Sequence, residues 1–229
     1  MTRKMKFKID ASWKPKERYC LICGVDLNSF HQFSDFPVSD FSICDQCRNI
    51  FEACKKVYMI EGIEWHVLYH YTEAMERLLF RYKEQKDRVL APVFFEEIAG
   101  KLRTMQKRYC ICGLCSSDAK RMERGFEPLK DMLEVHDICF NSPLYKNIDW
   151  KQNNKVGKQR EKINEILFRK DLYPLENKPI LLVDDVCTTG YTIKRACQLL
   201  KPKKVLILCA HPAWQEKETR SIEKRSSFW

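Results

Sequence analysis

Two groups of residues in this 229-residue chain have the types and spacings that chemistry requires. The first is Cys20-x2-Cys23 followed by Cys44-x2-Cys47. Each pair can turn two thiolates toward one point, and two pairs supply the four ligands of a closed tetrahedral Zn²⁺ site, with no position left for a substrate. A structural role is therefore expected. A segment of about 60 residues has too little core to fold by burial alone, and a metal supplies the missing stability. His31 and Cys54 rank below the four as ligands. A further pair, Cys112 and Cys115, falls in the strand-like run Tyr109–Cys115, where side chains alternate between faces, so a core role is expected there.

The second group is Ile180–Thr192, ILLVDDVCTTGYT. An apolar strand ends in Asp184 and Asp185, and a short turn then opens a helix. Ligands of parallel sheets sit beyond the carboxyl ends of the strands. A helix start offers backbone amides and the positive end of a dipole to a phosphate. Thr188, Thr189 and Thr192 add hydroxyls, Gly190 lets the backbone come close, and Tyr191 leads into the helix. Asp184 and Asp185 are placed to accept from ribose hydroxyls or from water on Mg²⁺, which prefers oxygen ligands. No GxxxxGK[ST] phosphate loop competes with this reading.

The elements that must position these groups follow from periodicity. Ile63–Tyr71 reads as a strand. Thr72–Lys83 reads as a helix with Met75, Leu78, Leu79 and Tyr82 on one face. A helix is predicted from Pro92 to Met105, a strand over Arg108–Leu114 and a helix over Phe126–Val135. A polar loop over Tyr145–Gly157 and a helix over Lys158–Lys170 come next. The clearest unit is last: strand Pro179–Val186, helix Thr192–Leu200, strand Lys204–Ala210. Alternating strands and helices predict a parallel α/β sheet. Residues 1–60 are expected to form a basic extension and the zinc-binding domain, 61–210 the α/β domain, and 211–229 a charged, loosely attached tail.

A hydrophobic share of 45% with 13 Phe builds a real core and excludes a chain that is disordered throughout. No apolar run approaches the length of a membrane span, and the basic start MTRKMKFKIDASWK lacks the apolar stretch of a secretory leader, so a cytoplasmic protein is expected. In a reducing compartment the 12 Cys point to metal or packing rather than to disulfides. The net charge of +10 suggests anionic partners. Eight basic residues against three acidic ones over 146–170, together with the basic N-terminus, form an electrostatic track for a phosphate backbone, with Lys151, Lys155, Lys158 and Arg160 at its centre. Trp13, Tyr19, Phe30 and Phe33 are candidate stacking platforms.

The Ile180–Thr192 stretch resembles the signature of type I phosphoribosyltransferases. Together with the cysteine pairs it resembles the ComF/ComFC family of competence proteins, a zinc finger joined to a phosphoribosyltransferase-like domain. Three further segments match in order. They are Tyr71-x-x-Ala-Met-x-x-Leu-Leu-x-x-Tyr-Lys83, Arg121-x-x-Arg124-Gly125-Phe126, and the spacing of Gln152, Asn164 and Phe168. The resemblance covers about residues 17–210. It departs after Phe126, where Glu127-Pro128 stands in place of the family's Asn-Gln and sets a carboxylate beside a diphosphate site.

The resemblance implies a phosphoribosyltransferase-like parallel sheet flanked by helices with a small N-terminal zinc-binding domain. It implies that phosphoribosyl diphosphate (PRPP) binds with Mg²⁺, its ribose hydroxyls on Asp184 and Asp185. The 5-phosphate would lie on Thr188–Thr192 and the diphosphate near Ser116, Arg121 and Arg124. It further implies single-stranded DNA binding during natural transformation, with a competence helicase or recombination mediator as partner and a peripheral place at the inner membrane through such partners. A working Mg²⁺-dependent transferase acting on an unidentified base, and a zinc-dependent adaptor, are the alternatives.

Overall fold

The computed structural model describes residues 18–27, 41–54, 56–146, 166–217, 221–222 and 228. Its centre is a six-stranded mixed sheet. The strands are β1 (Val57–Ile60), β2 (Ile63–His70), β3 (Cys110–Gly113), β6 (Ile180–Cys187), β7 (Lys204–Ala210) and β8 (Ser221–Ile222), in the order β3-β6-β7-β2-β1-β8. The run β3-β6-β7-β2 is parallel, and β1 pairs antiparallel with both β2 and β8. A separate antiparallel ribbon joins β4 (Leu144–Lys146) to β5 (Leu167–Arg169).

The period-2 pattern of the strands divides the core into two layers. Leu181, Val183, Leu206, Leu208 and Ile111 face one side of the sheet, and Leu182, Val205, Ile207, Cys110 and Cys112 face the other. Strands buried on both faces must be apolar throughout, which is how β6 and β7 read up to their ends. The first layer is closed by α2 (Glu73–Lys83), α3 (Ala99–Met105) and α5 (Pro128–Glu134), and the second by α6 (Tyr191–Leu200). Helix α2 begins at Thr72, whose hydroxyl accepts from the Met75 amide at 3.2 Å. Its Met75, Leu78, Leu79 and Tyr82 are all buried, as their spacing predicts.

Several sequence expectations change. The helix predicted from Pro92 to Met105 is two 3₁₀ segments, Arg88–Phe94 and Glu96–Ile98, followed by α3. Pro92 lies inside the first of these segments and lacks the amide that a continuous α-helix would bond. Residues 167–169, expected at the end of a helix, form β5 and pair with β4, where a loop was expected. Residues 147–165 lie outside the described residues. Short α4 (Asp118–Arg124) carries no buried residue and so left no apolar period to read.

The tail is also more firmly seated than its charge suggests. In α7 (Pro212–Lys217), Trp214 is 2% exposed and packs on Trp65 and Tyr58, with ring centroids 5.9 and 5.0 Å apart. The cysteine-rich segment, which contains α1 (Asp45–Arg48), likewise packs on the main core. Cys20, Ile43, Cys47 and Phe51 share the layer of Leu68, Tyr69 and Phe94. The Ser42 amide and hydroxyl both donate to Glu96, at 2.7 and 2.9 Å, and Arg81 at the end of α2 donates to the Ile22 carbonyl at 3.0 Å.

Candidate functional site

A cleft of about 520 Å³ opens beyond the carboxyl ends of β3 and β6. Three walls line it. One is the turn Thr188–Gly190 with the first residues of α6. The second is the end of β6, with Asp184 and Asp185 and with Lys83 from the last turn of α2. The third is the segment Leu114–Ser117 after β3, backed by Arg124 and Glu127, while Lys146 and Ile166 reach in from the ribbon.

The turn is shaped by packing behind it. Gly190 sits at φ +75° as the N-cap of α6, so it brings no capping oxygen to the first amides of that helix. A Cβ there would stand 2.5 Å from Nε1 of Trp214, so glycine is required by contact as well as by backbone angle. Thr188 and Thr189 are exposed at the mouth. A buried strand that ends in a helix start of this kind is a ready anion site. On the opposite wall Gly113 has a similar role, since a Cβ there would lie 2.1 Å from the Phe140 ring that closes over the end of β3.

The two aspartates are set apart electrostatically. Lys83 Nζ lies 2.6 Å from Asp185 Oδ2, with the two side chains only 16% and 18% exposed. Burial raises the Asp185 pKa, but the Lys83 ammonium outweighs it and holds the carboxyl below its ordinary range. Asp184 has no such ion pair among the described residues. Burial first, and then the neighbouring Asp185 charge, push it up to about 7. The Asp185 amide donates to Asp184 Oδ1 at 3.0 Å. The site thus presents one firmly ionised carboxylate and one that exchanges a proton near neutrality.

The third wall carries its own ionic network. Glu127, 8% exposed, accepts from the Ser116 amide at 3.0 Å and from the Ser116 hydroxyl at 3.0 Å. Burial nevertheless raises its pKa, against the pull of those two bonds. Arg124 reaches the same hydroxyl at 3.5 Å and pairs with Glu84 at 2.6 Å.

A second cluster lies in the N-terminal segment. The sulfurs of Cys20, Cys23, Cys44 and Cys47 all lie within 4.8 Å of one another, with Cys23 and Cys44 at 3.7 Å. Four sulfurs about 2.3 Å from a central Zn²⁺ would be about 3.8 Å apart, so this set fits the ion. Burial opposes ionisation of Cys20, but amides of Cys23, Cys44 and Ile22 donate to its sulfur and bring its pKa down to about 6. Burial foremost raises Cys47, whose sulfur also crowds the other three. Cys54 is buried elsewhere and directed to Gln215 at 3.7 Å, and His31 lies outside the described residues. Cys112 and Cys115 are core, as their alternation predicts.

The phosphoribosyl transferase domain family matches residues 145–229. Competence protein ComFC of Streptococcus pneumoniae is 25% identical over 206 residues, covering 80% of this chain and 93% of that one. Competence protein ComFC of Bacillus subtilis is 23% identical over 210 residues, covering 86% of each. The chain is similar to these two competence proteins along most of its length. A ribose-phosphate pyrophosphokinase of Marinomonas sp. is 35% identical over 71 residues, 30% of this chain and 22% of that enzyme.

All seven residues read from the Ile180–Thr192 stretch, Asp184, Asp185, Thr188, Thr189, Gly190, Tyr191 and Thr192, line one cleft. Ser116 and Arg124 line it too. Arg121 stands outside the lining on the exposed face of α4, paired with Asp118 at 2.7 Å. Lys151, Lys155, Lys158 and Arg160 fall outside the described residues. Lys83 ends the family-like helix, but no spacing within that helix shows that its ammonium meets Asp185. Trp214 gave no signal either, because it reaches Gly190 from a segment that reads as a polar tail.

The raised Asp184 sets a testable pH dependence. The folded chain holds this proton between about pH 4, where an unfolded Asp loses it, and about 7, so the group's contribution to stability falls as pH rises through that window. Asp184→Asn, which keeps the acceptor for the Asp185 amide, is expected to match the parent near pH 4. Near pH 8 it should exceed the parent by roughly 4 kcal/mol at most in urea unfolding, the linkage free energy of a carboxyl moved from about 4 to about 7. A gap that is the same at both pH values would contradict this assignment.

Proposed function

We propose that the chain serves natural transformation as a competence protein that binds single-stranded DNA on the cytosolic side of the membrane, and that its cleft holds a 5-phosphoribosyl ligand. The observation that carries the ligand is the meeting, in one cleft, of an Asp-Asp strand end with a glycine-containing helix start. In this reading Asp184 and Asp185 accept the ribose 2′- and 3′-hydroxyls, and Thr188–Thr192 receive the 5-phosphate. The same two carboxylates are the oxygen donors for a Mg²⁺ carried in with the ligand. The zinc-binding role of the four cysteines rests on the fit of their sulfurs to a tetrahedral ion.

For DNA, support comes from the charge of +10 and from the ribbon beside the cleft. Tyr145 on β4 is 39% exposed and stacks on Phe168 of β5 at 5.6 Å, with Lys146 and Arg169 on the same ribbon. A partly exposed aromatic pair on one face of a ribbon, with cations at the alternating positions, offers bases a stacking surface with neutralising charge nearby. Among the described residues no helix is long and apolar enough to cross a membrane. The match to the phosphoribosyl transferase domain favours a second reading, in which the same cleft transfers the phosphoribosyl group to a base.

Anisotropy of a labelled single-stranded oligonucleotide tests the principal reading. Binding that weakens steeply with salt, and that weakens further when Tyr145→Ala and Lys146→Ala are combined, is expected. No binding in low salt, or binding indifferent to salt, would remove the DNA role. Chelation tests the metal: the purified chain is expected to contain one zinc, and its removal should lower the melting temperature. A metal-free chain with an unchanged melt would overturn the zinc assignment.

A further inference from the structure

The third wall of the cleft is where the chemistry of the ligand is decided. A phosphorylated ribose seated with its 5-phosphate on the Thr188–Thr192 turn and its hydroxyls on Asp184 and Asp185 directs its C1 substituent toward the remaining wall, Leu114–Ser117. An anionic substituent would need donors there. The Ser116 amide and hydroxyl are its natural donors, and both are already taken by the Glu127 carboxylate at 3.0 Å. Glu127 is buried, lines the cleft, and so places a carboxylate where that substituent would lie. The nearby cations are engaged as well: Arg124 with Glu84 at 2.6 Å, and Lys83 with Asp185 at 2.6 Å.

The charge of the whole lining agrees. Lys83, Lys120, Arg124 and Lys146 face Glu127, Asp184 and Asp185, four cations against three carboxylates. With one Mg²⁺ added to that single excess charge, the cleft answers one phosphate dianion at the turn but not a dianion and a diphosphate together. A bound anion in a site of low dielectric is held only where fixed charge or donors answer it.

We propose that Glu127 is a specificity-determining residue that fills the anion position beside Ser116. The cleft then takes a 5-phosphoribosyl unit whose C1 carries no diphosphate, as in ribose 5-phosphate or a nucleoside 5′-monophosphate, and rejects PRPP. This rests on the reading of the cleft as a 5-phosphoribosyl site and narrows it. Glu127→Gln keeps an oxygen for the Ser116 amide, removes the charge, and opens the wall to a diphosphate.

Calorimetric titration of the full-length protein with ribose 5-phosphate, AMP and PRPP, each with Mg²⁺, tests it. For the parent, ribose 5-phosphate is expected to bind at least about tenfold more tightly than PRPP. Comparison with AMP shows whether a base at C1 is also accepted. Glu127→Gln is expected to strengthen PRPP by about tenfold and leave ribose 5-phosphate within about twofold. PRPP binding more tightly than ribose 5-phosphate to the parent would overturn this inference while sparing the phosphoribosyl reading. So would a Glu127→Gln variant whose affinities for both ligands move together. Binding of none of the three would overturn both. The ranking on the parent decides even if the variant does not fold.

Discussion

Two adjacent carboxylates at the end of a buried strand cannot both be ionised without help, and the help comes from a single ammonium. Lys83 stands 2.6 Å from Asp185 and holds it charged, while Asp184, beside it and without an ion pair among the described residues, is left with a proton it releases near pH 7. Removing one partner of a buried ion pair generally costs about 3–5 kcal/mol, because the other charge is then stranded. The last turn of α2 is therefore bound to the end of β6. Most of the first core layer exists to keep it there: Met75, Leu78, Leu79 and Tyr82 pack α2 down, and Arg81 ties the same turn to the cysteine-rich segment through Ile22.

The two ends of the chain brace this arrangement from opposite sides. The cysteine cluster packs through Cys20, Cys47 and Phe51 into the layer under α2. Its contribution to the cleft is thus indirect, through the helix that carries Lys83. On the other face Trp214 fills the space behind Gly190 and fixes the turn at the start of α6. Neither end contributes a lining residue among those described, yet each restricts one that does.

Much of this was legible in the sequence wherever a pattern is local. The Asp-Asp-turn-helix stretch and the two cysteine pairs carry their geometry in short spacings, and the structure brings each set together as that spacing predicts. The strands β2, β3, β6 and β7 and the helices α2, α5 and α6 were visible because both core layers repeat in period. What could not be read depends on contacts between distant segments. The link between Lys83 and Asp185, the capture of Ser116 by Glu127 and the wedge at Trp214 span roughly 10 to 100 residues and leave no periodic trace. The resemblance flagged Glu127 as a departure, but only the fold shows which amide it occupies. Polar α4 and the 3₁₀ path before α3 were missed because the first buries nothing and the second is interrupted by Pro92, which departs from the α-helical period.

The central claim is that the strand end and turn of residues 184–192 form one ligand site. Hydrogen exchange of the full-length protein, measured with and without ribose 5-phosphate, tests it most directly. Slowed exchange concentrated in the turn and first residues of α6, with smaller changes around Lys83 and Ser116, is the predicted result. Exchange left unchanged there at saturating ligand, or slowed only in distant segments, would contradict the account.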